Sequence, residues 1–290
     1  MPTTLALNPV HVGEYFSTAR ERHRILLARR AGFPKPWTTD PAMSRWRFCN
    51  VFREDDVTTI WVRKHVREPM HDDPRCIVAM TACRYFNKIS TLEILNEEGL
   101  LESWNSDKAK KLLRQVSPLV GAGYLIKTPD GLNKLDGVCQ IVNQIQDDLP
   151  RLAACVKKDP RLEAFWAQLR HYPFLGPFMS YEIVSDLRHT AMLEHASDIM
   201  GWANAGPGAC AGMSWLTGGD LKCVPYTSSK QWATATLNAM RELLELSRQE
   251  EYWPQHRNQW EMREVEHWLC EYAKWVKVCR LEQRMKRKYP

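Results

Sequence analysis

The segment Pro173-Phe174-Leu175-Gly176-Pro177-Phe178-Met179-Ser180-Tyr181-Glu182 is the most informative part of this chain, and an acid, Asp198, follows it. A glycine lets the backbone approach a ligand closely, and a proline suits the first helical position, where its missing N–H costs nothing. The N–H groups at such a helix start bind anions such as phosphate. The segment therefore predicts a hydrophobic turn that opens a DNA-contacting helix. A Gly-Pro turn before a helix is also common in proteins that do not bind DNA. Evidence for DNA binding therefore has to come from the rest of the chain.

The composition is that of an ordinary globular protein. The 290 residues are 44% hydrophobic and 26% charged, which fits one large domain or two closely associated ones. No apolar run approaches the roughly 18 residues that a membrane helix needs. The first residues lack the charged and apolar regions of a secretory signal. We therefore expect a cytoplasmic protein with no membrane association.

The cysteines and histidines give no pattern typical of a metal or cluster site. Nine cysteines are scattered without a C-x-x-C pair, and nine histidines occur without H-x-E or H-E-x-x-H. An iron–sulfur loop needs four closely spaced cysteines. We expect free, buried thiols, no metal and no other cofactor.

Positive charge is concentrated near the two ends of the chain. The net charge is +6, and clustered positive charge is typical of a surface that binds a polyanion. Solvated segments that aid solubility are the alternative interpretation. The two clusters are Arg20, Arg22, Arg24, Arg29 and Arg30, and then Lys274, Lys277, Arg280, Arg284, Lys286, Arg287 and Lys288.

Helical periodicity recurs and strand patterns are scarce, so we predict an all-α fold. Helices are expected, among others, at 10–31, 44–65, 177–187 and 255–288. The tryptophans near the C-terminus recur at spacings close to two helical turns, which favours core packing over a stacking platform for bases. These tryptophans are Trp253, Trp260, Trp268 and Trp275.

We expect three parts along the chain. Residues 1–43 form a basic N-terminal arm with a helix, and residues 44–220 form the helical core, with the hairpin at 173–188. Residues 221–290 form C-terminal helices that pack on the core and end in a basic tail.

The hairpin resembles the Leu-Pro-Gly-x-Gly loop of helix-hairpin-helix DNA glycosylases. The stretch from Tyr172 keeps the proline and the second glycine, Gly176, but has Phe174 at the first glycine. Strand-cleaving members have a lysine two residues after the second glycine, and Phe178 stands there, which excludes imine chemistry from that position. Asp198 occupies the place of the acid that stabilises positive charge or acts as a base. Capping of a helix at 199–203 is an equally good explanation of Asp198.

Several further segments, taken together, resemble a phage family of thymine-hypermodifying proteins. These proteins are the alpha-glutamyl/putrescinyl thymine pyrophosphorylases, or amino acid:DNA transferases. They are related to the helical domain of hydroxymethyluracil DNA kinases and to the helix-hairpin-helix glycosylases. The resemblance covers about residues 44–220. It is carried by Arg47-Phe48-Cys49-Asn50-Val51-Phe52-Arg53-Glu54-Asp55-Asp56, by Arg84-Tyr85-Phe86-Asn87, by 176–188, and by Asp198 with Trp202-Ala203-Asn204-Ala205-Gly206-Pro207-Gly208-Ala209.

The resemblance implies chemistry on a base within DNA. A hydroxymethyluracil DNA kinase would first install a pyrophosphate on the 5-hydroxymethyl group. This chain would then replace the pyrophosphate with an amine from an amino acid or a polyamine, in the cytoplasm of the bacterial host. The base has to be flipped out, because the stacked duplex buries its 5-substituent. A glycosylase that excises a modified base, and a DNA-binding module without catalysis, are the alternatives.

Candidate residues follow from these patterns. Asp198 is the candidate general base or electrostatic stabiliser, and Glu182 and Asp186, at i and i+4 on one helix face, would hold the incoming amine. Arg53 and Arg84 would bind the leaving pyrophosphate, since guanidinium groups match phosphate oxygens. The remaining candidates are Asn50 and Asn87 for the flipped base, and Gly176, Phe178 and Ser180 for the DNA backbone.

Three of these assignments have structural alternatives. Glu182 and Asp186 could form a solvated helix face near Arg188. Arg53 could pair with a neighbouring acid on the surface. The two asparagines could cap loops.

Overall fold

The computed structural model describes residues 4–256 and 258–284. Within these residues all regular secondary structure is helical, which confirms the predicted all-α class. No helix in this part of the chain combines the length and the apolar character needed to span a membrane. The predicted basic residues Lys286, Arg287 and Lys288 lie outside the described residues.

Twelve α-helices are found in the described residues. A 3₁₀ turn at Arg53–Asp55 precedes the second of them, and a π-helical turn at Arg63–Arg67 follows it. The helices are α1 (Pro9–Arg30), α2 (Val57–Val62), α3 (Cys76–Phe86), α4 (Ile89–Glu97), α5 (Ser106–Leu113), α6 (Lys134–Asp147), α7 (Leu149–Lys158), α8 (Leu162–Leu169), α9 (Pro177–Leu187), α10 (Pro207–Gly218), α11 (Lys230–Leu246) and α12 (Met262–Cys279).

The chain divides into two compact units. One is continuous, Val57–Ile199, and holds α2 to α9. The other joins the two ends of the chain, Met1–Asp56 and Met200–Pro290, and holds α1 and α10 to α12. These divisions fall after residues 56 and 199, whereas the sequence placed them after 43 and 220. We refer to the first as the central unit and to the second as the terminal unit.

An aromatic core fills the terminal unit. Trp253, Trp260, Trp268 and Trp275 are all buried, which confirms their predicted role in core packing. Tyr15 of α1 lies edge-on to Trp260, and its hydroxyl donates to the carbonyl oxygen of Val265 in α12. Aromatic pairs of this kind add to the stabilisation that burial already gives. The core therefore depends on residues from both ends of the chain.

Two glycines bring α10 close to α12. A Cβ on Gly212 would lie 2.3 Å from the backbone oxygen of Leu269, and a Cβ on Gly208 would lie 2.8 Å from Sγ of Cys270. No larger side chain fits at Gly212 unless backbone moves. The spacing of four residues puts both glycines on one face of α10, so the two helices pack with their backbones close together.

The central unit is organised around α3. Every residue of this helix is buried, and α6 and α9 pack against it. The helix ends at Asn87, which adopts a left-handed conformation with φ 42°. The loop at Gly121, which follows α5, lies directly against this end, because a Cβ on Gly121 would lie 1.9 Å from the carbonyl oxygen of Asn87. The Gly121-Ala122-Gly123 break is therefore a close-contact turn.

The predicted helix at 44–65 is wrong over its first half, since α2 begins only at Val57. Long-range hydrogen bonds take the place of helical ones before it. Nε of Arg22 donates to the oxygen of Phe48, and the N–H of Cys49 donates to Glu271. The predicted helix at 255–288 is also too long, because a capping box between Glu261 and Glu264 starts α12 at Met262.

Candidate functional site

At the position of the predicted hairpin, helix α8 is followed by a loop at 170–176 and by helix α9. Helix α9 starts at Pro177, as predicted, with Gly176 as its N-cap residue and no side-chain hydrogen bond at the cap. The indole N–H of Trp166 in α8 donates to the carbonyl oxygen of Pro177 at 2.9 Å. This bond ties the two helices together next to the loop. Gly176 has no side chain that could accept from the N–H groups of the first turn of α9, which leaves this helix start without a side-chain cap, as an anion site requires.

The loop has a left-handed residue at Phe174, where φ is 69°. Phe174 stands at the first glycine position of the Leu-Pro-Gly-x-Gly pattern, and left-handed φ is the conformation that favours glycine. The hydroxyl of Tyr85 at the end of α3 donates to the carbonyl oxygen of Phe174 at 2.9 Å. The central helix of the unit therefore holds the loop in this conformation although the glycine is missing.

Gly176 and Phe178 lie at the surface of the hairpin. The φ of Gly176 is −66°, and a Cβ there would meet nothing within 4 Å, so the fold itself does not require glycine at this position. Phe178 is 45% exposed, and its ring lies edge-on to Tyr124 with centroids 4.9 Å apart. Phe174 is 40% exposed. The loop thus presents two phenylalanines and an uncapped helix start to solvent.

Ser180 lies on the inner side of the hairpin. Its side chain is fully buried, and its hydroxyl donates to the carbonyl oxygen of Leu175 at 2.9 Å. The sequence placed Ser180 at the DNA backbone. In this conformation the hydroxyl holds the loop and is not accessible to a phosphate.

A buried cluster of charges lies between α3 and α9. Nε and Nη2 of Arg84 donate to the two carboxylate oxygens of Asp186, at 2.5 and 2.7 Å, and Nη1 lies 3.6 Å from Glu182. Arg67, from the π-helical turn, approaches Asp186 at 3.8 Å. All four side chains are at most 4% exposed. The alternative of a solvated face for Glu182 and Asp186 is therefore wrong.

This cluster changes what its members can do chemically. The charges of Arg84 and Arg67 are balanced by those of Glu182 and Asp186 inside the core. Two parallel N–H···O bonds to a carboxylate are the strong form of an arginine pair. Arg84 would have to leave Asp186 to bind a pyrophosphate in the predicted way.

Asp198 makes hydrogen bonds to the start of α8. Its two carboxylate oxygens accept from the backbone N–H groups of Leu162 and Glu163, at 2.8 and 2.9 Å. No α-helix follows at 199–203, where 199–201 form a turn and 202–203 have no regular structure, so the predicted cap of a helix at 199–203 is wrong. Asp198 caps a helix that lies earlier in the chain, and its side chain is half-buried.

The two asparagines fall in different units. Asn87, in the central unit, forms the left-handed end of α3, and its amide nitrogen lies near Gly123. Asn50, in the terminal unit, is buried. Its Oδ1 accepts from Arg22 at 2.6 Å, and its Nδ2 donates to Asp56 and to the backbone of Asp55, both at 2.9 Å. The amide of Asn50 is therefore engaged in holding the 50–56 loop.

Arg53 also belongs to the terminal unit, at the start of the 3₁₀ turn. Its side chain is half-buried. Burial lowers the pKa of His267 in α12, and the positive charge of Arg53 lowers it further. Arg53 is therefore close to the buried polar cluster around His267. The sequence did not predict this cluster.

Two clusters of polar side chains were not predicted from the sequence. Arg67 pairs across the central unit with Asp186, and His267 lies with Cys49 and Asp56 in the terminal unit. Neither group has a local spacing, because its members come from distant segments. The one available signal was the polar richness of 49–56, which the resemblance already singled out.

A curated relative is the 5-hmdU DNA kinase of Bacillus phage SP10. It is 26% identical to this chain over 285 residues, which cover 90% of the chain and 44% of the relative. The chain thus spans less than half the length of that kinase. No solved structure matches the chain.

The match to a family model is broader. The model described as "5-hmdU DNA kinase, helical domain" matches residues 10–285. This range includes helices of both units and every candidate residue discussed above. The chain therefore belongs to the family of the helical domain of 5-hmdU DNA kinases.

Proposed function

We propose that this chain modifies a thymine-derived base in phage DNA, as a transferase. In this proposal it replaces the pyrophosphate of 5-pyrophosphoryloxymethyluracil with an amine from an amino acid or a polyamine. The new C–N bond forms at the 5-methylene carbon as the C–O bond to pyrophosphate breaks. The amine loses a proton, and pyrophosphate leaves. The protein acts after a hydroxymethyluracil DNA kinase in the bacterial cytoplasm.

The observation that carries the proposal is the match to the helical domain of 5-hmdU DNA kinases over residues 10–285. The segments 47–56, 84–87, 176–188 and 198–209, which resemble the amino acid:DNA transferases, all lie within this range. The match supports chemistry on a thymine-derived base in DNA, and the resemblance favours amine transfer as that chemistry.

The hairpin supports contact with DNA. Gly176 is exposed and has room for a side chain, so close approach of a phosphate is a physical reason for glycine at this position. Phe174 and Phe178 are exposed beside it, and exposed aromatic or apolar side chains can wedge between base steps or stack on a base. We propose that this loop contacts the DNA backbone and helps to flip the base, as in a helix-hairpin-helix glycosylase-like architecture.

The contacts of the acids refine their proposed roles. Each oxygen of Asp198 accepts one amide hydrogen bond and keeps a lone pair for a further partner. We retain Asp198 as the group that stabilises positive charge at the methylene or accepts the amine proton. Asp186 is bound bidentately to Arg84, whereas Glu182 is 3.6 Å from it. We keep Glu182 and Asp186 together as the carboxylates proposed to hold the amine; because both are buried beside Arg84, this role requires the cluster to open when substrate binds.

The proposed nucleotide contacts follow the same logic. We keep Arg84 for the leaving pyrophosphate and Asn87 for the base, since both lie in the unit that carries the hairpin. For Arg84 this role requires an exchange of Asp186 for the pyrophosphate. Asn50 and Arg53 belong to the terminal unit, and their predicted contacts with the base and the pyrophosphate stay predictions. Ser180 supports the hairpin loop from inside.

The test is the intact mass of an oligonucleotide that carries pyrophosphorylated hydroxymethyluracil. The protein is incubated with it and with a mixture of amino acids and polyamines. Transfer gives an intact strand that has lost pyrophosphate and gained the mass of one amine. A strand that breaks in alkali indicates an abasic site and therefore a glycosylase. Binding without any change of mass indicates a DNA-binding module.

Substitution of Asp198 separates the catalytic proposal from a binding role. Asp198→Asn retains one acceptor oxygen for the α8 cap, and we expect it to bind the oligonucleotide but to lose most of the modifying activity. The control is Asp220→Asn, whose carboxylate accepts from the N–H of Lys222 in an exposed loop. Full activity of Asp198→Asn would remove Asp198 from the proposed mechanism.

A further inference from the structure

Three potential metal ligands of different chemical types meet in the terminal unit. One ligand atom from each of Cys49, Asp56 and His267 lies within 4.8 Å of the other two. We propose that these three side chains bind a divalent transition-metal ion of the zinc class. The proposal concerns the terminal unit alone and goes beyond the proposed transferase activity.

The local structure brings the three residues together. Cys49 and Asp56 stand on either side of the 3₁₀ turn Arg53–Asp55, so the turn folds the segment back on itself. His267 comes from α12, more than two hundred residues later in the chain, and is 8% exposed. An ion bound here would connect the 49–56 segment to the helix that carries the aromatic core.

Hydrogen bonds already hold two of the ligands in place. Asp56 accepts from the backbone N–H and from the side chain of Asn50 through Oδ1, at 3.2 and 2.9 Å. Nε2 of His267 lies 3.1 Å from the carbonyl oxygen of Asn50. Metal-binding imidazoles and carboxylates are usually oriented by such hydrogen bonds to backbone and amide groups. Asn50 thus organises the site, which is a physical reason for its engaged amide.

The ligand set selects the metal. Thiolate, imidazole and carboxylate together are typical of zinc, at bond lengths of about 2.0 to 2.3 Å. Ligand atoms in a tetrahedral site lie roughly 3 to 4 Å apart by these bond lengths, so the observed limit of 4.8 Å requires only a small contraction. Calcium and magnesium prefer oxygen ligands alone and do not fit a thiol.

The charges around the cluster are compatible with a dication. Glu271, which accepts from the N–H of Cys49 at 3.0 Å, adds a negative charge to those of Asp56 and a Cys49 thiolate. Two positive groups also face the site, Arg53 and Lys274, and Lys274 is paired with Glu271. An ordinary thiol is protonated at neutral pH and has to lose its proton to bind a metal. Metal binding at neutral pH therefore displaces about one proton from sulfur.

The site provides three protein ligands and leaves a fourth position for water or another ligand. Cys49 and Asp56 are half-buried residues, so the cluster lies near the surface of the terminal unit. Zinc sites with three protein ligands and an open position occur in catalysis, whereas structural sites usually have four protein ligands. The site is therefore open to a small exchangeable ligand.

The test is a titration of the purified full chain, first treated with a chelator, with Co²⁺ as a spectroscopic probe and then with Zn²⁺. We expect about one equivalent of Co²⁺ to give the near-ultraviolet band of a thiolate ligand and the visible bands of tetrahedral geometry. Zn²⁺ should displace the cobalt and release about one proton at pH 7. No uptake of either ion at micromolar concentration would overturn the proposal.

Variants identify the ligands. Cys49→Ser should abolish the thiolate band, and Asp56→Asn and His267→Gln should each lower the affinity for Zn²⁺ by at least about tenfold. Cys155→Ser is the control, since Cys155 is also half-buried but lies in the central unit. A thiolate band that persists in Cys49→Ser and disappears in Cys155→Ser would overturn the assignment. Because the wild-type titration needs no substitution, the proposal can be tested even if a variant fails to fold.

Discussion

The guanidinium of Arg84 lies side by side with the carboxylate of Asp186, with Nε 2.5 Å from Oδ2 and Nη2 2.7 Å from Oδ1. Both side chains are buried. We predict that Asp186→Asn lowers the free energy of unfolding by about 3 kcal/mol, because it leaves the arginine charge buried without its main partner. Urea unfolding measures this change. The matched control is Asp159→Asn, since Asp159 forms the same two-bond contact with Arg161 at the surface. Because solvent screens this exposed pair, we expect Asp159→Asn to change the free energy of unfolding little.

We expect Gly176 to contribute to DNA affinity and very little to the stability of the fold. We predict that Gly176→Ala changes the free energy of unfolding by less than about 1 kcal/mol, because φ is −66° and the space around it is open. The same substitution should weaken binding to an oligonucleotide severalfold, since a methyl group would hinder a phosphate at the helix start. Fluorescence anisotropy measures the binding. Gly206→Ala is the control, because Gly206 caps α10 with the same backbone conformation; an equal loss of binding in both variants would contradict the prediction.

Phe174 should be replaceable by glycine without loss of stability. Its φ of 69° is strained for a phenylalanine by about 1 kcal/mol or more, and glycine relieves that strain. The gain is opposed by lost packing and by the greater freedom of glycine in the unfolded chain. We predict a thermal midpoint that is unchanged or higher, together with weaker DNA binding. A clearly lower midpoint would show that the ring of Phe174 is part of the core.

Two glycines inside helices should respond to alanine in opposite directions. Gly212→Ala forces a Cβ to 2.3 Å from the backbone oxygen of Leu269, and we predict a loss of about 2 kcal/mol or more. Gly13→Ala in α1 meets nothing within 4 Å, and its better helix propensity should stabilise the protein by up to about 1 kcal/mol. Chemical unfolding of the two variants compares the signs. Equal effects would contradict the close packing of α10 on α12.

His267 should make stability dependent on pH in a defined window. Burial lowers its pKa below the value of about 6.5 that it has in an unfolded chain. Above pH 6.5 both states hold a neutral ring. Below pH 6.5 the ring binds a proton in the unfolded state but not in the folded state. The free energy of unfolding therefore decreases as the pH decreases, by up to about 1.4 kcal/mol per pH unit.

We therefore expect His267→Gln to flatten the dependence of the free energy of unfolding on pH just below 6.5, measured with a chelator present. The neighbouring Arg53, Asp56, Glu271 and Lys274 are unchanged in this variant. His195→Gln is the control, because His195 is almost fully exposed. Identical pH profiles for the wild type and His267→Gln would contradict the prediction.

Local signals were enough to predict part of the fold. Helix α9 begins at Pro177 because Gly176 and Pro177 are themselves the signal. The extended stretch before the 3₁₀ turn could not be predicted, since its backbone groups bind Arg22 and Glu271, which lie far away in sequence. Asp198 shows the same limit: one of its two interpretations from the sequence was a cap on the following helix, whereas the carboxylate caps α8. Arg84, the buried partner of Asp186, was among the predicted site residues, but as a ligand of the leaving pyrophosphate.

Because the terminal unit is formed from both ends of the chain, it can be completed only after the central unit has been synthesised. The central unit is one continuous stretch, so the ribosome delivers all of it before α10 to α12 exist. Tyr15 and Phe16 of α1 must wait for Trp260 and Val265 to be translated before they are covered. Contacts between residues so distant in sequence form slowly, and the apolar face of α1 is exposed meanwhile. Nascent α1 is therefore a segment of this chain on which a chaperone would have time to act.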